Sequence, residues 1–309
     1  MSFMTDDRLP QGVSVFERGW LSSNNVLMLG SASTALIDSG YSTHARQTLD
    51  LVDAGLGQRS LDFLLNTHLH SDHCGGNAAL QATYPNLQTL IPPWQAHFVS
   101  SWNPVALTYA PTGQLCPQFR FSGLLLPGGE IQLANRAWQI HTAAGHDPHS
   151  LILFEPQSRT LISADALWES GFGVIFPELD GTNAFDEVAA TLDMIEQLAP
   201  RTVIPGHGAV FGYRPEVLAS ARQRLDAFVS NPSRHAQHAA KVLLKFKLLE
   251  QQQLRFANFV EWSRNTSYFE QIRRTFFAST PLEIWIEQLT NELVRSGAAR
   301  RNGELVSNA

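Results

Sequence analysis

Between Asn66 and Gly76 the chain reads Asn-Thr-His-Leu-His-Ser-Asp-His-Cys-Gly-Gly, which places three imidazoles and a carboxylate within the six positions His68 to His73. The run just before it, Leu61-Asp62-Phe63-Leu64-Leu65, has the apolar character of a buried strand, so the polar cluster must leave that strand as a loop. Packed together without a common partner, these side chains would each carry the cost of desolvation and would each need separate hydrogen bonds. A divalent cation removes that cost. Imidazole and carboxylate form a borderline ligand set suited to Zn, Fe or Mn, and the chain has no Cys-x-x-Cys pair that would suggest a structural thiolate site.

The pattern His68-x-His70-x-Asp72-His73, followed by Gly75-Gly76, resembles the signature of the metallo-β-lactamase-fold hydrolase superfamily. The resemblance implies that the first two histidines bind one metal and that the Asp72-His73 pair binds a second. It also implies further ligands downstream, and the chain has a residue of the required type at each point: His146 in Ala-Ala-Gly-His, Asp165 in Leu-Ile-Ser-Ala-Asp and His207 in Ile-Pro-Gly-His-Gly. Asp165 is the carboxylate expected to bridge the two cations, having two oxygens to offer. The fold implied is an α/β protein, a four-layered αβ/βα sandwich with the metals at the edge of two facing sheets. One departure stands out, in that Ser163-Ala164-Asp165 replaces the Gly-Asp dipeptide common at this point of the family, which changes local backbone freedom.

With 309 residues and 44% hydrophobic content, the chain is long enough for one large domain and a smaller one. The residues Met1 to Arg8 lack a basic segment leading into an apolar one, and no stretch of 18 apolar residues occurs, so a cytoplasmic protein without a membrane span is expected. Two cysteines, Cys74 and Cys116, are too few for a disulfide framework. Charge is uneven: residues 1–212 hold 8 Arg, no Lys and 19 acids, a net of −11, whereas residues 213–309 hold 11 Arg, 3 Lys and 9 acids, a net of +5. Bound cations would offset part of the first excess. The second either complements the first or meets an anionic partner.

Along residues 1–212, expected to form the catalytic domain, strand character appears at 12–17, 25–30 and 34–40, followed by an amphipathic helix from Ser42 to Leu56 that stops at Gly57. Asp38 is a candidate acceptor for the backbone of the metal loop or for a ligand histidine. A helix follows Gly76, with a strand at 87–91 and a helix at 93–101. Residues 102–120 read as an irregular insertion in which Trp102, Tyr109 and Phe119 are pocket candidates. Short strands are expected at 130–133, 137–141, 150–154, 160–163 and 202–204, with a helix over 185–198. His97 and His141 read as packing or surface residues, and the resemblance gives His149 a supporting place rather than a ligand's. The glycine-rich aromatic segment Gly171 to Pro177 offers Phe172 and Phe176 as walls of a substrate pocket.

From residue 213 onward a smaller helical domain is expected, with helical spacing over 215–229, 233–252, 259–277 and 281–296 and then a hairpin around Asn302-Gly303. A helix followed by such a hairpin resembles the end of a winged-helix unit. The segment Pro281 to Ser296 holds one Arg and three Glu, which argues against nucleic acid as a partner. The unit instead suits a lid or a homodimer contact.

Two cations of this kind, zinc first with iron or manganese as alternatives, would supply a hydroxide at neutral pH and polarise a substrate oxygen. Asp72 is then the catalytic carboxylate that orients the nucleophile, a role the resemblance implies. No serine-nucleophile motif and no phosphate-cradling Gly-Lys loop is present. In motif and layout the chain is similar to glyoxalase II-like thioesterases and to acyl-homoserine lactonases, so the expected activity is hydrolysis of an ester-like bond, a thioester or lactone, in a small-molecule substrate. Arg234, Lys241 and Lys245 are candidates to hold an anionic carrier. The alternatives are a phosphodiesterase or ribonuclease on the same core, which the Lys-free acidic half disfavours, and a non-enzymatic sensor that kept the fold.

Overall fold

A computed structural model describes residues 7–179 and 181–309. Residues 1–6, which carry most of the export argument, lie outside it. The chain forms two compact units, one holding the described residues up to Leu107 together with Leu115–Leu225, the other holding Thr108–Gln114 and Asp226–Ala309.

The first unit contains two six-stranded sheets. In the first sheet β1 (Val13–Phe16), β2 (Asn25–Leu29) and β3 (Thr34–Ile37) form an antiparallel meander, and β4 (Phe63–Leu65), β5 (Gln88–Ile91) and β6 (Gly123–Leu124) extend it in parallel. In the second, β7 (Glu130–Leu133), β8 (Arg136–Thr142), β9 (Leu151–Glu155) and β10 (Thr160–Ala164) are antiparallel, β11 (Thr202–Pro205) joins β10 in parallel, and β12 (Phe211–Gly212) closes the edge. Parallel neighbours require crossovers. Those crossovers carry α1 (Ala45–Leu56), α2 (Ser71–Cys74), α3 (Asn77–Thr83) and α4 (Ala96–Ser101) in the first half.

Strand alternation sorts each sheet into two faces. Val26, Met28, Ala35, Ile37 and Leu65 of the first sheet pack against Trp138, Ile140, Leu151, Leu153, Ile162 and Ile204 of the second, forming the central core. The opposite face of the first sheet sends Leu27, Leu36 and Leu64 against Val52 and Leu56 of α1 and Leu80 of α3. On α1, Thr48, Val52 and Leu56 recur every four residues, so one stripe is buried. The helix ends at Gly57, whose φ of 62° few other residues would accept there. On the outer face of the second sheet Ile152, Phe154, Leu161 and Val203 are buried as well. The result is the four-layered αβ/βα sandwich.

The second unit starts with α5 (Tyr109–Thr112), a short helix inside the stretch expected to be irregular, and Tyr109 is buried. After α6 (Phe176–Leu179) and α7 (Ala184–Leu198) of the first unit, and α8 (Pro215–Ser230), in which the division falls, come α9 (Pro232–Gln251), β13 (Gln253–Arg255), α10 (Phe256–Asn265), α11 (Ser267–Phe276), α12 (Leu282–Arg295), β14 (Ala299–Asn302) and β15 (Leu305–Asn308). The helix expected over 259–277 is two helices. Thr266 is extended, at φ −102° and ψ 106°, and so separates the two. The expected hairpin is present, but its two-residue turn is Gly303-Glu304, since Asn302 still pairs with Leu305 at the end of β14, and β13 adds a third strand in the order β13-β15-β14. Among the described residues no helix is long and apolar enough to cross a membrane.

Candidate metal centre

Four of the loops that build the site leave the C-terminal ends of parallel strands. Asp38 follows β3, His68 to His73 follow β4, Asp165 follows β10 and His207 follows β11. Because β3 pairs with β4, Asp38 lies beside Thr67, and because β10 pairs with β11, Asp165 lies beside Gly206, whose N–H donates to the Ala164 carbonyl at 2.7 Å. The two sheets are stitched together near these ends by Leu151 N–H to Thr67 O at 2.8 Å and by Asn24, whose backbone N–H donates to the Gly206 carbonyl at 2.7 Å. The Asn24 side chain also reaches the carbonyls of Pro205 and Gly208.

All seven candidate ligands converge in two groups: His68, His70 and His146, and Asp72, His73, Asp165 and His207, with the ligand atoms of each group within 4.8 Å of one another. In the first group His70 Nδ1 lies 3.1 Å from His68 Nε2 and 2.8 Å from His146 Nε2. In the second, His207 Nε2 lies 3.1 Å from Asp72 Oδ2, and Asp165 Oδ1 lies 3.5 Å from His73 Nε2 and 3.9 Å from His207 Nε2. The other oxygen of Asp165, Oδ2, is 3.3 Å from His146 Nε2, so this carboxylate faces both groups.

For His146, His68 and His73, hydrogen bonding on the far side of the ring decides which nitrogen faces inward. His146 Nδ1 points at the Val174 carbonyl, 2.5 Å away, and must carry the proton, leaving Nε2 a bare lone pair. Thr67 gives its hydroxyl proton to Asp38 Oδ2 at 2.8 Å, so at 3.1 Å it can only accept from His68 Nδ1, and His68 Nε2 is bare too. With its proton on Nε2, which lies 3.4 Å from Asp147 Oδ2, His70 offers Nδ1 as a third lone pair. Three lone pairs that face one another at this range repel unless a positive charge sits among them. His73 adds the same evidence. Its Nδ1 is 2.8 Å from Asp38 Oδ2, while its buried Nε2 has no hydrogen-bond partner among the described residues.

The electrostatics agree. Burial, with neighbouring His73 and His70, holds His68 well below the usual histidine range, and burial with His70 lowers His146 to about 4. His73 moves the other way. Burial opposes its charge, but Asp165, Asp38 and Asp72 together hold it well above the usual range. Burial likewise raises Asp165 and Asp72, yet His73 and His207 outweigh it and both carboxyls are held low. A site that draws a proton onto His73 against desolvation is one that calls for positive charge, and the donor set fits two divalent cations on both counts.

Several supporting groups were not identified from the sequence. Asp147 backs His70 and accepts the His149 N–H at 2.7 Å, while His149 itself stacks on Trp94. Its place beside His146 was the available signal. Trp168 donates its indole N–H to Asp165 Oδ1 at 3.2 Å, and His207 lies between the stacked ring of Trp20 and the edge of Trp168, each 5.4 Å away. Two glycines permit the packing. A Cβ at Gly206 would sit 2.1 Å from Asp165 Oδ1, and one at Gly173 would sit 2.4 Å from His146 Nδ1. Of the pocket candidates, Phe176 stands 5.8 Å from the His70 ring and 6.1 Å from that of His146. Phe172 is 1% exposed, with the Arg224 guanidinium over its ring. Phe119 is buried against Trp102. His97 lies against Phe98 and His141 against Gln139, neither of them in a ligand group.

Comparison with known proteins places this geometry. The family model of the metallo-beta-lactamase superfamily matches residues 18–207, which include all seven side chains. The chain is 29% identical over 150 residues to a hydroxyacylglutathione hydrolase of Haemophilus ducreyi, covering 48% of this chain and 52% of that protein. It is 28% identical over 185 residues to a hydroxyacylglutathione hydrolase of a Synechococcus strain, covering 59% and 62%. The matches therefore span less than two thirds of either relative's length. Among solved structures, a metallo-beta-lactamase family protein of Thermus thermophilus superposes with a TM-score of 0.55 at 18% identity, covering 97% of this chain and 99% of that one. With a family model that spans most of the sandwich and a shared fold on both sides of the site, the chain belongs to the metallo-beta-lactamase superfamily.

Proposed function

We propose that this protein is a dinuclear metal-dependent hydrolase of an ester-like bond, a thioester or a lactone. The observation that carries the reading is the opposition of three bare imidazole nitrogens in one group to two carboxylates and two imidazoles in the other, with Asp165 reaching both. His68, His70 and His146 would hold one cation and Asp72, His73 and His207 the second, with Asp165 between them. When bound, the cations supply a water acidic enough to attack at neutral pH and a Lewis acid for the substrate oxygen. Zinc is the metal proposed, with iron or manganese as substitutes.

The chain's own residues do the rest. Asp72, kept ionised by His73 and His207, is placed to accept a hydrogen bond from the attacking water and to orient it. Asp38 and Asp147 hold His73 and His70 in the tautomers that turn lone pairs inward. Phe176 and the exposed Trp20 provide apolar surface beside the histidines for an acyl group. The relatives' names point to an acylglutathione, which is a thioester, and this favours a thioester over a lactone. Catalysis is assigned to residues 1–212, which contain every group in the site, and residues 213–309 to a helical, winged-helix-like appendage. Within that appendage Lys241 is paired with Glu292 and Lys245 is tied to Ala298 and Asn308, so of the three proposed anion-binding side chains only Arg234 is exposed without such a bond among the described residues.

Protein loaded with Zn, Mn or Fe should hydrolyse members of an acyl-thioester and lactone panel. His68→Ala and Asp165→Ala should fall to background. Equal turnover by those variants, or none by the loaded protein across the panel, would sink the assignment.

A further inference from the structure

Two thiols lie behind the metal-ligand segment. Cys74 ends α2, one position after His73, and is fully buried, whereas Cys116 is partly exposed. Their sulfurs are 3.7 Å apart although 42 positions separate them in sequence. A disulfide holds its sulfurs at about 2.05 Å, so an approach of about 1.7 Å, shared between two rotatable side chains, would close it. The backbone beside Cys116 is anchored, since Leu115 N–H donates to the Tyr41 hydroxyl at 2.9 Å and the Ser42 hydroxyl to the Leu115 carbonyl at 3.2 Å. On the other side Cys74 Sγ lies 3.4 Å from the Leu69 carbonyl and 3.3 Å from that of His70, within the segment that presents His68 and His70. The proposed hydrolysis uses neither thiol.

We infer that Cys74 and Cys116 form a reversible thiol–disulfide modification site, oxidised by hydroperoxides and reduced by small thiols, whose disulfide form weakens cation retention in the adjoining centre. Cys116, the more exposed, reacts first. Its sulfur attacks a peroxide oxygen, the O–O bond breaks, and Cys116 becomes a sulfenic acid as water or an alcohol leaves. The Cys74 sulfur then attacks that of Cys116. The S–S bond forms, the S–O bond breaks, and the departing hydroxide leaves as water with the Cys74 proton. Two equivalents of a small thiol restore both cysteines and are themselves oxidised to their disulfide. Oxidation removes the Cys74 S–H donor from the Leu69 and His70 carbonyls. It also draws the turn bearing Asp72 and His73 toward Cys116. Changes in groups that support metal ligands typically cost roughly 10- to 100-fold in metal affinity, and an effect at the lower end is expected here.

The test uses zinc-loaded full-length protein exposed to hydrogen peroxide, alkylated and digested. A peptide pair joining Cys74 to Cys116 within one chain is expected, absent from Cys116→Ser and reversed by dithiothreitol. Oxidised protein should pass zinc to a chelator roughly 10-fold faster than reduced protein, and peroxide-treated Cys116→Ser should not. Alkylatable Cys74 alongside a Cys116 sulfinic acid, a crosslink between chains, or equal zinc transfer from both forms would overturn the inference. So would accelerated zinc loss from the serine variant. No measurement requires turnover, so failure of the hydrolase reading and failure of this one are distinguishable.

Discussion

Asp38 accepts three hydrogen bonds, from the Thr67 N–H, the Thr67 hydroxyl and His73 Nδ1, and through them sets the inward nitrogens of both His73 and His68. Asp38→Ala should therefore keep every ligand yet bind metal roughly 10- to 100-fold more weakly, measured by chelator competition; unchanged affinity would remove the tautomer argument. Gly206→Ala puts a methyl where Asp165 Oδ1 now sits, 2.1 Å from it. It should cost about 1–3 kcal/mol in denaturant unfolding and displace the Asp165 carboxylate proposed to bridge the cations, lowering the metal content of purified protein. At this scale the candidate ligands were legible because each is a His or Asp at a motif position, and Asp38 was legible as a supporting acceptor. Asp147 was signalled only by its place beside His146, and Trp168 and Trp20 were not legible, since a tryptophan near a strand end carries no mark of what it will face.

Ala164 ends β10 with a φ of 45°, and the register with β11 shifts between Ile162 and Ala164, so the strand bulges where it delivers Asp165. A residue with a Cβ is strained in that region by roughly 1–2 kcal/mol. Ala164→Gly should relieve most of it, less the extra chain entropy glycine must lose, for a net gain of about 0.5–1 kcal/mol, read as a higher thermal midpoint; a lower midpoint would show that the methyl stabilises by packing. The unusual Ser163-Ala164-Asp165 sequence signalled altered backbone freedom here, and the φ angle shows its form. Strands with clear alternation and α1 with its four-residue stripe were legible for the same local reason. The break at Thr266 and the three-residue β13 were not. A helix-compatible sequence is interrupted there by one residue with extended backbone, and a strand that short exists only because β15 lies beside it.

In the whole molecule, the acid excess of residues 1–212 meets its strongest local expression where Asp38, Asp72 and Asp165 surround His73. Removing divalent cations with a chelator should lower the thermal midpoint reversibly. Zinc at about 100 times its dissociation constant should restore about 2.7 kcal/mol per site coupled to folding, and a midpoint indifferent to zinc would deny the coupling. Which atoms could serve as ligands, which segments alternate like strands and which family the chain resembles were settled by the sequence alone, because residue chemistry and periodicity are local properties. Which nitrogen of His68, His73 and His146 turns inward, the closeness of two distant thiols and the burial of Phe172 under Arg224 were decided only by tertiary structure, because each depends on a neighbour that the fold brings in from far along the chain.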